Sequence, residues 1–343
     1  RKGTSDFVVH NCSPDENGQN AEQMERVLTK LNPDLVWIHP VYPWKFFRAF
    51  AAKYPHVIMA GDPKDRIIRF RFKFAGGATP NILKRVYRKW LTDKQAHKIM
   101  KEEVQFMKEA AVNGVVSAYG PGDVPYRNKT TGLDVKLCEL AFPDSGARES
   151  FTGKPNFLLL GNFSTVHTRY GLDYFFKQVW PIWKKTDLIK HSTIRIVGAG
   201  KMARNIKLPA DQEGLKFIGF AESLKAEFEN ALAALVAVPI DIGFRTRVIE
   251  SWGKGVPVIM DGSSALGLPS AKGDDNCLIA DNPKAFIEQA KRILEDNALR
   301  TKIGDGGRNT FLTQYLSSNE GVVARYKAIA DLAIKKAGKE IVT

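Results

Sequence analysis

Short apolar runs and longer segments of helical period take turns along the chain. Residues 7–12, 35–38, 57–60 and 115–118 are compact apolar stretches, the pattern of buried strands. Within residues 21–31, Met24, Val27, Leu28 and Leu31 repeat at helical spacing, and Asn32 with Pro33 ends that helix. Residues 45–53 read as another helix, and Gly61, Asp62 and Pro63 as the exit loop of the strand before them. Strands alternating with helices predict a parallel sheet. Residues 66–74 (RIIRFRFKF) then alternate basic and apolar side chains. Residues 81–91 return to helical spacing through Leu83, Val86, Tyr87 and Trp90. Thr92 with Gln95 predicts a capping box that opens a further helix to residue 111, with Met100, Val104, Met107 and Ala111 on one face. Residues 121–132 (PGDVPYRNKTTG) read as an exposed loop.

A polar junction at residues 144–155 predicts an interdomain linker. It divides the chain into an N-terminal domain over residues 1–150, a second over 151–325 and a C-terminal helix or tail over 326–343. In the second part, strands are expected at 156–160, 194–197, 215–219, 234–238 and 256–260, with a helix over 172–184. Asn282 before Pro283 is an expected N-cap, followed by Phe286, Ala290, Ile293 and Leu294 at helical spacing.

The length of 343 residues suits about two domains. With 44% hydrophobic and 26% charged residues the composition is that of a soluble globular protein, and no apolar run reaches the ~18 residues of a membrane span. The chain starts at Arg1 rather than Met, which leaves room for an upstream part, and the N-terminal half shows only about four strands. Cys12, Cys138 and Cys277 fit neither a disulfide framework nor metal-ligand spacing, so a reduced, cytoplasmic compartment is expected.

Charge changes the picture more. The net charge is +14, and residues 64–108 hold thirteen Lys/Arg against four Asp/Glu, so +9 of the excess sits there. Basic residues interleaved with Trp and Phe suit an anionic membrane surface or an acidic acceptor, against the plainer reading of packed helices with solvated charged faces. Nucleic acid is not expected, because no recognised binding module is present.

The chemistry concentrates in residues 234–269. A strand closed by Pro239 leads into a loop with Gly243, and a helix opens at Arg245, Arg247 and Glu250 and stops at Gly253 and Gly255. Its N-terminus faces the carboxyl edge of a parallel sheet, where ligands bind and where free N–H groups favour anions. Two guanidinium groups there make a phosphate or diphosphate the natural ligand. Glu250 lies three residues past Arg247, so it either accepts hydrogen bonds from ligand hydroxyls or forms an ordinary surface ion pair with Arg247. A second motif, GAGKMA at residues 198–203 with Glu222 beyond it, matches a dinucleotide fingerprint formally. Too few residues separate Gly200 from Pro209 for the helix such a site needs, and that reading is rejected.

GFRTRVIESWGKGVPVI resembles the signature of GT-B glycosyltransferases, in particular the retaining family 4 type. The resemblance is continuous from about residue 157 to 316 and fragmentary before that. It implies an α/β fold of two Rossmann-like domains with parallel sheets facing a cleft. It also implies glycosyl transfer from a nucleotide-diphosphate sugar to an acceptor hydroxyl on a glycan or lipid-linked acceptor. Retention at the anomeric carbon, no obligatory metal and no cofactor beyond the donor substrate follow from the same likeness. On this pattern Glu250 holds the donor ribose, while Arg245 and Arg247 lie at the diphosphate with Gly243, Phe244 and Thr246 around them. Gly161, in the LLGNFS opening of the second domain, and Phe220, after a V-x-F-x-G-like strand, belong to the same donor site. PDLVWIHPVYP resembles the strand-to-loop segment of the first domain, which places His39 in the cleft near the donor phosphate and sugar. Asp62 is a weaker cleft candidate with a capping alternative, and the aromatics around His39 are core or an acceptor platform. One departure is Ile242, where many members carry a further glutamate. A related nucleotide-sugar epimerase and a non-catalytic nucleotide-sugar or membrane-binding module are the alternatives.

Overall fold

A computed structural model gives the fold and describes residues 19–76, 81–149, 151, 155–163, 165–198 and 208–340. The expected strand at 7–12 and most of the GAGKMA segment lie outside the described residues.

The first half begins with α1 (Gln19–Leu31), β1 (Val36–Ile38), α2 (Trp44–Phe47) and β2 (His56–Ala60). It continues with α3 (Lys64–Gly76), α4 (Ile82–Ala110), β3 (Val115–Ala118), α5 (Asp123–Thr131) and β4 (Lys136–Leu137). Its four strands form one parallel sheet in the order β1-β2-β3-β4, with Val57 opposite Val115 and Ala60 opposite Ala118. Every residue of β2 and β3 is buried, which explains their largely apolar runs: a parallel strand covered on both faces has no solvent side, and His56 and Ser117 are the polar exceptions.

The second half opens with β5 (Asn156–Leu160), α6 (Val166–Tyr174), α7 (Trp180–Trp183), α8 (Leu188–His191), β6 (Thr193–Val197) and β7 (Leu215–Gly219). Next come α9 (Lys225–Glu229), β8 (Ala233–Val236), α10 (Thr246–Gly253), β9 (Val258–Met260), α11 (Gly262–Leu266) and β10 (Leu278–Ile279). The chain closes with α12 (Pro283–Glu295), α13 (Asn297–Gln314) and α14 (Glu320–Lys336). The six strands are all parallel in the order β10-β9-β8-β5-β6-β7. From β5 the chain steps outward to β6 and β7, then returns to β8 on the other side of β5. That is the doubly wound Rossmann order, and its switch point lies between β5 and β8.

Three expectations are corrected. Residues 81–111 form one helix, α4, capped by Asn81, whose side chain accepts from the Lys84 amide at 3.0 Å. Thr92 caps nothing; its hydroxyl donates back to the Arg88 carbonyl at 2.8 Å, a bond a mid-helix Thr makes without ending the helix. Residues 123–131, read as loop, form α5, because Arg127 finds a buried partner in Glu103 at 2.7 Å. The basic–apolar alternation of 66–74 lies within the helix α3. Most aromatics near His39 serve the core: Trp44 and Phe47 are buried with Val41, Ile58 and Phe106. The last helix, α14, crosses back to the first sheet and packs Ile329 and Ala333 against Val57, Met59 and Val115.

Candidate functional site

The switch point holds a cleft of about 440 Å³. Its floor is the loop after β5 (Gly161, Asn162 and Thr165), the first turn of α6 (His167 and Thr168), the loop after β8 and the start of α10. Phe220, after β7, stands at one side and is 72% exposed, free to lie against a planar ring. Asp62, at the exit of β2, reaches in from the opposite sheet. Of the residues expected in the donor site, Gly161, Phe220, Gly243, Phe244, Arg245, Thr246, Arg247 and Glu250 all line this cleft. His39 does not.

Close backbone approach shapes the floor. A Cβ on Gly161 would sit 2.2 Å from the Thr168 methyl and 3.3 Å from Arg247 Nη1, so only glycine lets β5 turn under α6. Gly243 has φ +80°, and a Cβ there would meet the Asp62 carboxylate at 3.1 Å. Glycine is required twice over, by its left-handed backbone and by the neighbour from the other half.

The two arginines do different work. Arg245 is 5% exposed, and its Nε donates to Ser264 Oγ at 3.0 Å. Nη1 donates to the carbonyls of Ile242 and Gly243 at 2.8 and 3.0 Å, and Nη2 to those of Val238, at 3.3 Å, and Ile240. A guanidinium has five N–H groups, and here each has a protein acceptor. Asp261 completes the brace: it accepts from Ser264 Oγ at 2.8 Å and from the Val238 amide at 2.7 Å. Arg245 thus lines the cleft as expected, but this side chain folds the loop 238–243 around itself, with its N–H groups engaged by protein acceptors.

Arg247 instead points along the cleft floor. It donates from Nη1 to the Leu160 carbonyl at 2.9 Å and from Nη2 to Thr168 Oγ1 at 2.8 Å, tying α10 to β5 and α6. Burial, with Arg245 adding to it and Glu250 opposing, lowers its pKa to about 10, so it stays cationic at neutral pH. No ion pair joins Arg247 to Glu250 among the described residues. Glu250 is open to solvent at the mouth of the cleft, yet the walls around its carboxyl raise its pKa, with Arg247 pulling the other way. At its start α10 has no side-chain cap, since Arg245 at the cap position is engaged elsewhere. The positive end of its dipole opens on the cleft.

On the opposite wall, Tyr119 donates to Asp62 Oδ1 at 2.9 Å and accepts from the Asp62 amide at 3.2 Å. His39 sits against Tyr119, ring centroids 5.7 Å apart, and Tyr119 meets Phe244 of the second half at 6.2 Å. His39 thus occupies the rim, one ring removed from the cleft. Burial lowers its pKa and Asp62 opposes that, so its imidazole is neutral at pH 7. Arg66 bridges the halves to Asp241 at 3.0 Å.

Sequence reasoning missed His167, Thr168 and Tyr119. His167 lines the cleft with its Nε2 buried and unpartnered, and its ring lies over Phe70 of α3 at 6.3 Å. Burial lowers its pKa, with Asp62 raising and Arg245 and Arg247 lowering it. The local signal was available in part, since Thr165 lies at the N-cap spacing before α6 and accepts from the Thr168 amide.

A doubly wound sheet with an uncapped helix, an arginine and a carboxylate at its switch point, closed by a second parallel sheet, defines the GT-B fold. Residues 154–296 match the family model described as glycosyl transferases group 1. Similar solved structures include the sucrose-phosphate synthase of Thermosynechococcus elongatus (14% identity, TM-score 0.64), covering 94% of this chain and 81% of that one. HepE from Anabaena, in complex with UDP and glucose, matches at 13% identity and TM-score 0.57 over 93% of this chain and 83% of its own. TarM matches at 12% identity and TM-score 0.55 over 68% of this chain, which spans only 46% of TarM. No curated protein matches the sequence significantly.

Proposed function

We propose that this glycosyltransferase moves a sugar from a nucleotide-diphosphate donor to an acceptor hydroxyl, with retention and without an obligatory metal. The observation that carries the donor reading is the joint placement of Arg247, the α10 N-terminus, Glu250 and Phe220 around one cleft. In this reading the base lies against Phe220 and Glu250 accepts from the ribose hydroxyls. The departing diphosphate gathers charge at the α10 N-terminus beside Arg247, so the site stabilises the leaving group electrostatically. Arg245 acts through the loop it braces.

HepE with UDP and glucose, and S. aureus TarM with UDP and α-GlcNAc-glycerol, make uridine diphosphate the first ligand to test and a glycan or similar hydroxyl the acceptor class. The basic segment 64–108 adds an anionic surface as the place where acceptor is met. The deciding experiment measures hydrolysis and transfer with a panel of UDP-, GDP-, dTDP- and ADP-sugars. Turnover of one donor, unaffected by EDTA and retaining by NMR, is the expected result. Turnover to an isomeric nucleotide sugar without acceptor would make the protein an epimerase, and no binding of any nucleotide would end the donor reading.

A further inference from the structure

Residues 81–91 are exposed throughout although they are helical. Ile82 is 77% exposed, Leu83 81%, Val86 and Tyr87 60% each and Trp90 53%. At about 100° per residue these five, with Leu91, fill one half of the helix surface, and Lys84, Arg85, Arg88 and Lys89 fill the other. Further along α4 the buried side is formed by Ala96, Glu103, Phe106, Met107 and Ala110. By helical rotation that side continues into the basic half, near Arg85 and Lys89. The apolar stripe therefore turns away from the body of the protein. Tyr87 and Trp90 lie nearly parallel, 6.1 Å apart, with Lys94 over the Trp90 ring at 5.2 Å. The first part of α4 runs back along α3, and an ion pair between Arg69 and Asp93 ties the two together.

We propose that this helical arm docks on an anionic lipid bilayer, laying Ile82, Leu83, Val86, Tyr87 and Trp90 into the interface while its lysines and arginines meet the headgroups. Charge selects this occupant. A second copy would bring another +9 segment against the first, and like fields repel. A nucleic acid would satisfy the cations and leave the apolar stripe in water. A bilayer with anionic headgroups satisfies both halves, because the long basic side chains reach up to the phosphates as the stripe sinks. The placement suits the cleft: α3 leaves the Asp62 loop, where Arg66 pairs with Asp241, and its length of about 20 Å separates cleft from arm. A lipid-borne acceptor would thus be presented one helix length from the site.

The test sediments the whole protein with phosphatidylcholine vesicles, with and without phosphatidylglycerol, at low and high salt. Wild type should bind the anionic vesicles and retain part of that binding in high salt, because an inserted stripe is not screened. Combining Leu83→Ser, Val86→Ser and Trp90→Ser should weaken binding at least about ten-fold at unchanged melting temperature, since all three side chains are exposed. Equal binding by this variant, or equal binding of wild type to both vesicle types, overturns the proposal. A lipid-free wild-type dimer that the variant turns into monomers overturns it too and assigns the stripe to a second copy. The inference extends the glycosyltransferase reading to the source of its acceptor, but vesicle binding needs no nucleotide. Failure of the donor reading would leave it standing, and its own failure would leave the variant's nucleotide affinity at the wild-type value.

Discussion

Arg245 and Arg247 are two residues apart and would look interchangeable as phosphate ligands, yet about half a turn of backbone separates a structural brace from a cleft-lining cation. Arg245→Ala should leave the carbonyls of Val238, Ile240, Ile242 and Gly243 buried with lost donors, so a loss of about 3 kcal/mol or more is expected. Arg245→Lys cannot rebuild the fork and should lower Tm almost as far. An unchanged Tm would contradict the brace. Arg247→Ala and Glu250→Ala should instead each weaken binding of the best nucleotide about ten-fold or more, since a charge-assisted hydrogen bond contributes about 1.5–3 kcal/mol. Calorimetry on variants with near-native Tm checks this. Glu250 also predicts a pH dependence. Its pKa is raised by burial, so protonation removes its acceptor charge sooner on acidification than an ordinary glutamate would. Donor affinity should begin to fall above the usual carboxylate range, and Glu250→Gln should flatten that limb. Spacing in the sequence was enough to bring Arg247, Glu250 and Gly243 to one helix start. It could not distinguish the arginines, because that depends on where the carbonyls of 238–243 turn, a property of the folded loop rather than of residue type.

At the scale of elements, the parallel strands were legible because burial on both faces leaves them mostly apolar, with His56, Ser117 and Asn156 as buried polar exceptions. What stayed hidden were the helices that polar partners hold in place. The apolar face read for residues 92–111 centred on Met100 and Val104, whereas the buried face centres on Glu103 and Phe106. The difference is Arg127: its pair with Glu103 carries an acid to the inner side of α4 and turns a Gly- and Asn-containing stretch into α5. Arg127 also donates to the Gly61 carbonyl at 2.9 Å, so this pair steadies the loop that carries Asp62. Beside it, Asp123 is buried with Oδ1 lacking a hydrogen bond, and burial together with Asp62 raises its pKa to about 7 despite Arg66 and Arg127. The unfolded chain releases this proton near pH 4, the folded one near pH 7, so the folded state binds the extra proton between them. Stability contributed by Asp123 is complete below about pH 4 and is lost as pH rises through about 7. Asp123→Asn should therefore melt above wild type at alkaline pH, with the difference shrinking toward about pH 4. A difference independent of pH would remove the assignment.

At the scale of the molecule, α14 ties the halves together behind the first sheet, and a second set of contacts between them bears on the cleft. Asp62 lies against Gly243, Tyr119 against Phe244, Arg66 reaches Asp241, and Phe70 and Phe74 of α3 pack on Tyr170 of α6. In the N-terminal half the sequence resemblance is fragmentary, and the reason is visible here: that half contributes to the cleft through side chains from strand exits that are far apart in sequence. His39 tests whether the halves act together. It sits at the rim, in ring contact with Tyr119, while every other expected donor residue lies in the second half. If closure brings the first sheet onto the reacting sugar, His39 contributes to the transition state and little to nucleotide affinity. His39→Ala should then lower kcat by about ten- to a thousand-fold, the range for a lost acid–base or electrostatic contact. Nucleotide affinity should change by less than about three-fold, because that site is complete without it. His39 is exposed as a residue and only its ring is partly desolvated by its neighbours, so Tm should hold. Turnover within about two-fold of wild type would reduce His39 to a strand-end residue. A matched loss of nucleotide affinity would instead place it on the donor in the open state, and the halves would not need to move for it to act.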